Sequence, residues 1–65
     1  MKLIMVILYL FSPDGSTMSE VNKFYAYDSF GGMSDPLGAC EKAIETIRGN
    51  FTTKPAMACI SVYRN

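Results

Sequence analysis

Two cysteines, Cys40 and Cys59, carry most of the reactive chemistry available to this 65-residue chain, and no histidine accompanies them. Without an imidazole, the usual general base near neutral pH and the commonest metal ligand are both missing. Two thiols cannot by themselves complete the four-ligand shell of a structural zinc site. Serine and threonine lie mostly in turn-like stretches, and none is framed by glycines as a nucleophile elbow requires. Phe30-Gly31-Gly32-Met33 is too short and apolar to cradle a phosphate. Asp35 and Pro36 follow it, adding a negative charge and removing an N–H donor where an anion would sit. These residues predict no catalytic group, no metal and no cofactor, and hence a chain that is not an enzyme.

The elements that would position any site begin with Leu3 to Phe11 (LIMVILYLF), nine consecutive apolar residues. Read as a strand, it is apolar on both faces, with Leu3, Met5, Ile7, Tyr9 and Phe11 on one side and Ile4, Val6, Leu8 and Leu10 on the other. Ser12-Pro13-Asp14-Gly15-Ser16 predicts a turn. Val21 to Tyr27 (VNKFYAY) then reads as a second strand, and Asp28 to Ser34, with its paired glycines, as a loop. Asp35 as N-cap, Pro36 in the first turn and Gly49 as a left-handed stop predict a helix over Pro36 to Arg48. Leu37, Cys40, Ala43, Ile44 and Ile47 form its apolar stripe, and Glu41, Lys42, Glu45 and Arg48 its solvated side. Ala56 to Tyr63 (AMACISVY) reads as a third strand.

The expected fold is a single small α+β domain over residues 1–65, β-β-α-β, with one helix packed on one face of a three-stranded antiparallel/mixed sheet. A right-handed crossover through the helix makes strands two and three parallel. The doubly apolar first strand then belongs between them, in the order 2-1-3. With the helix over the smaller side chains, Ala58, Ile60 and Val62 fall on its side. The opposite face collects Met5, Ile7, Tyr9, Phe11, Tyr25, Tyr27, Met57 and Tyr63. On that assignment Cys59 points away from Cys40, and both are expected as reduced thiols. A one-residue flip of strand three would instead bring them within disulfide reach.

One helix covers one face of a sheet. The other must be met by the loops at 12–20 and 28–34, by a second copy of the chain, or by a different protein. Tyr, Phe and Met are enriched at interface centres. We therefore read Tyr9, Phe11, Tyr25, Tyr27, Phe30, Met33, Met57 and Tyr63 as candidate protein-binding residues, with a homodimer or another protein as the partner. Six Lys plus Arg balance six Asp plus Glu, so the long-range field that marks nucleic-acid and anionic-membrane binders is absent. Nine apolar residues fall well short of the ~20 that span a bilayer as a helix. Ser12-Pro13-Asp14-Gly15 offers no small-x-small cleavage site, so the expected compartment is a cytoplasm.

Lys23-Phe24-Tyr25-Ala26-Tyr27-Asp28-Ser29-Phe30 resembles the RNP1 strand of RNA-recognition motifs, and Cys40 to Gly49 is similar to that family's second helix. The resemblance covers roughly the second half of such a domain. It implies single-stranded RNA stacked on Tyr25 and Tyr27. By size and neutral composition, the chain is also like the small proteins that phages and other mobile elements make to disable host complexes, anti-CRISPR inhibitors among them. A protein-binding inhibitor is thus the leading expectation, with the RNA binder and a structural homodimer as alternatives.

Overall fold

A strand with no polar face is stable only in the middle of a sheet, and that is where the first one lies. The computed structural model describes residues 2–26, 31–50, 52 and 55–65. It contains β1 (Lys2–Phe11), β2 (Met18–Tyr25), α1 (Pro36–Gly49) and β3 (Met57–Arg64). The sheet order is β2-β1-β3, with β1 antiparallel to both neighbours. This is the expected α+β arrangement. Val6 and Leu8, inward-facing residues of the central strand, are buried together with Cys40 of the helix. Leu3, Phe24, Ala43, Ile44, Ile47, Met57 and Cys59 pack around them.

The hairpin is tighter than the sequence pattern suggested, so β2 starts at Met18. The Asp14 carboxylate gathers the turn: the Ser12 hydroxyl donates to Oδ1 at 2.6 Å, the Ser16 hydroxyl at 2.8 Å and the Ser16 N–H at 3.0 Å. The Thr17 N–H returns to the Ser12 hydroxyl oxygen at 3.1 Å. The helix opens as expected, Asp35 Oδ1 accepting from the Gly38 N–H at 3.0 Å ahead of Pro36. Its end differs. Gly49 stays helical, and Asn50 closes the last turn by donating from Nδ2 to the Thr46 carbonyl and from its N–H to the Ile47 carbonyl. That side-chain bond satisfies a terminal carbonyl and removes the need for a left-handed glycine. Leu37 leaves the buried stripe and is exposed.

The main correction concerns β3. Cys40 and Cys59 form a disulfide, Cα to Cα 6.2 Å, so they are not the free thiols expected. Cys59 lies opposite Leu8 and Met57 opposite Leu10, so both sit on the helix side. Ala58, Ile60 and Val62 face the other way. Because side chains alternate strictly, orienting one cysteine toward the helix reverses every assignment on the strand. Two irregularities reset the other strands. The register shifts between Leu3 and Met5 against β3, leaving Ile4 as the extra residue and returning Leu3 to the helix side. It shifts again between Leu8 and Tyr9 against β2, with Val21 as the extra residue.

Candidate functional site: the helix-free sheet face

The odd residues of β1 after the first irregularity, Met5, Ile7, Tyr9 and Phe11, run down the centre of the face away from the helix. On the β3 side Met5 lies opposite Val62, Ile7 opposite Ile60 and Tyr9 opposite Ala58. On the β2 side Met5 lies opposite Tyr25, Ile7 opposite Lys23, Tyr9 opposite Glu20 and Phe11 opposite Met18. The surface is thus apolar at the centre and along β3. Its charged groups lie at the rim: Lys23 Nζ and Glu20 Oε1 stand 3.8 Å apart at the β2 margin, both exposed, and Lys2 lies opposite Arg64 at one end of the sheet. Such a pair adds little stability. It does mark a rim beside an apolar middle.

No described element lies over this face. The molecule measures 40 × 23 × 15 Å along its principal axes, and its thinnest dimension holds one sheet and one helix, spaced at about 10 Å, without a third layer. Met18 is 52% exposed, Tyr25 53% and Ile60 39%, while the central row is half-buried by its own neighbours. The accessible surface is 4842 Å² for a 7.2 kDa chain. A folded monomer of that mass is expected to expose about 4,100 Å².

Of the residues singled out from the sequence, Tyr9, Phe11 and Tyr25 come together here. Met57 and Tyr63 do not. Met57 packs against the core on the helix side, and Tyr63, opposite Leu3, projects on that side at the sheet's end. Both misplacements follow from the reversed parity of β3. Met33 sits at the outer edge of β2, where its N–H donates to the Tyr25 carbonyl at 3.0 Å and it bridges to Ala26. Tyr27 and Phe30 lie outside the described residues. The sequence pattern missed Ile60, Val62 and Met18 as members of the face. The Cys40/Cys59 pairing was the signal that could have placed the first two.

The carboxyl whose titration is displaced lies away from this surface. Asp14, at the hairpin turn, has its carboxyl lowered from 3.8 to about 2, first by the Ser12 hydroxyl and then by the Ser16 N–H and hydroxyl. This is turn chemistry. Among the described residues no cluster of His, Cys, Asp or Glu could hold a metal ion. No described helix is long and apolar enough to cross a membrane. Comparison of the chain with protein-family models, with curated proteins and with solved structures gave no match.

Proposed function

We propose that this chain is a small non-enzymatic module that binds a larger protein through the helix-free face of its sheet. It would act by occluding that partner's surface, as the small inhibitors of host complexes made by mobile elements do. The observation that carries the reading is the central row Met5, Ile7, Tyr9 and Phe11, which no described element covers, flanked by Ile60, Val62 and Tyr25. A patch with aromatic and methionine side chains in the middle and charges only at its rim has the anatomy of a protein interface. The neutral charge of the chain favours a polypeptide over a phosphate backbone.

The Cys40–Cys59 bond bears on the compartment. Reducing cytoplasms keep thiols open, whereas disulfides persist in oxidising compartments. We therefore infer that the module works in an oxidising compartment and not in the cytoplasm expected from the sequence alone. Alkylation of thiols in intact source cells before lysis checks this: a chain with both cysteines blocked by the reagent would return the reading to the cytoplasm.

Binding is tested by capturing the partner on the immobilised chain and titrating it against variants. Tyr9→Ala and Tyr25→Ala are each expected to weaken association by roughly 1–3 kcal/mol, as truncated aromatic anchors do. Glu45→Lys, on the solvated side of the helix, is expected to leave it unchanged. An affinity that follows Glu45 and ignores both tyrosines would assign binding to the helix and overturn the proposal. Binding of single-stranded RNA that falls steeply with salt would favour the nucleic-acid alternative instead.

A further inference from the structure

The two edges of the sheet are finished differently. Phe11 donates its N–H to the Ala56 carbonyl at 2.9 Å. In an antiparallel ladder, hydrogen-bonded and non-bonded pairs alternate, so 9/58, 7/60 and 5/62 are the bonded pairs between β1 and β3. Met57, Cys59, Ser61 and Tyr63 therefore direct their backbone N–H and C=O groups away from β1, to the open edge. On the other side, the Ala26 N–H donates to the Ile4 carbonyl at 2.9 Å, and the same alternation turns Lys23 and Tyr25 outward.

Two of those four β2 groups are occupied. The Lys23 N–H donates to Asn22 Oδ1 at 2.9 Å, and the Tyr25 carbonyl accepts from Met33. The strand is further blunted by the irregularity at Val21 and by the charges of Glu20 and Lys23. These are the devices by which sheet edges are kept from pairing. From Met57 to Tyr63 the β3 edge has none of them, Arg64 standing at its end. Met57 to Tyr63 contains no charge, proline or glycine, and among the described residues no backbone group pairs with its outward side. The disulfide from Cys59 to Cys40 holds this strand against the body of the domain.

We propose that two copies of the chain pair antiparallel through their β3 edges. The strand is complementary to itself. The outward groups are all on odd residues, so only registers that set odd against odd can satisfy them. The one that uses the whole run places Cys59 opposite Ser61 of the second copy and Met57 opposite Tyr63. Ile60 then lies on the twofold axis, and Ala58 faces Val62, a small side chain against a larger one. Registers centred on Cys59 or Ser61 shorten the ladder and bring Pro55 or Arg64 into it. The full register forms about eight backbone hydrogen bonds. It joins the two three-stranded sheets into one of six strands, a common size. The axis stands perpendicular to the sheet, so both helices lie on one side, and the two helix-free faces continue into a single surface. The pairing does not depend on what that surface binds.

Amide hydrogen exchange of the oxidised full-length chain across a concentration series tests the pairing. The amides of Ala58, Ile60 and Val62 are slow at every concentration. Those of Cys59 and Ser61 are fast when dilute and slow by at least about tenfold as copies associate, because opening then requires dissociation. Ser61→Pro removes a donor that makes no bond within the monomer and is tolerated at a free edge. It should weaken the dimer by roughly thirtyfold, two bonds being lost per twofold pair. A chain that sediments as a monomer at all concentrations overturns the proposal. So does a dimer in which the Tyr9 and Tyr25 rings become shielded while the Cys59 and Ser61 amides stay fast, since its sheet faces and not its edges would then be paired.

Discussion

Reduction of the Cys40–Cys59 bond is the perturbation with the largest worked consequence. The bond closes a loop of 19 residues in sequence separation, and a loop of that length removes about 3 kcal/mol worth of chain entropy from the unfolded state. Among the described residues the buried core is Val6, Leu8 and Cys40, with Pro36 also buried at the start of the helix, so few other contacts are available to hold α1 on the sheet. A 65-residue chain is expected to have a total stability of only ~3–10 kcal/mol, and the loss is a large share of it. At 4–8 °C per kcal/mol for a domain of this size, the melting temperature should fall by roughly 12–24 °C. The assay is thermal unfolding followed by far-UV circular dichroism, on the oxidised chain and on chain reduced and shown by mass to carry two alkylatable thiols. A reduced chain melting within about 3 °C of the oxidised one would refute the reasoning, because the bond would then not be holding helix to sheet.

Gly32 has φ +104, and a Cβ there would run into the Ala26 carbonyl; Gly32→Ala should destabilise the fold by about 1–3 kcal/mol and break the Met33–Tyr25 hydrogen bond, read as lost protection of the Met33 amide. Native-like exchange at Met33 in that variant would contradict it. Asp14 should titrate near pH 2 in the folded chain. A carboxyl lowered by folding stabilises above its unfolded value, so the support Asp14 gives the hairpin is present above about pH 4 and lost as pH falls toward 2. A carboxyl carbon titration by NMR reads this directly, and Ser12→Ala should move the midpoint back up. An Asp14 midpoint already at 3.8 in the unmodified chain would contradict the turn network.

The sheet order was legible because Leu3 to Phe11 is apolar on both sides and only the central position buries both. The helix was legible because Asp35-Pro36 and the spacing of Cys40, Ala43, Ile44 and Ile47 each point to it independently. Strand three was legible as a strand but not in its orientation. Ala58, Ile60 and Val62 alternate with Met57, Cys59, Ser61 and Tyr63, and neither set is polar enough to choose a face. The disulfide makes the choice through a contact 19 positions away, which no local pattern contains. The irregularities at Ile4 and Val21 were hidden for a related reason: each inserts one residue and swaps faces without altering composition. Tyr9, Phe11 and Tyr25 were found because they lie on stretches whose parity those shifts leave intact. Met57 and Tyr63 were misplaced with the strand that carries them.

Site-specific photocrosslinking tests the binding surface most directly. A photoreactive phenylalanine analogue replaces Tyr9 at the centre of the helix-free face in one version of the chain and Glu45 on the solvated side of the helix in another, each expressed in the source cells. The account predicts a discrete cross-linked polypeptide from position 9, none from position 45, and loss of the position 9 product when unlabelled wild-type chain is added in excess. The same polypeptide cross-linked from position 45 and not from position 9 would contradict the assignment of the sheet face.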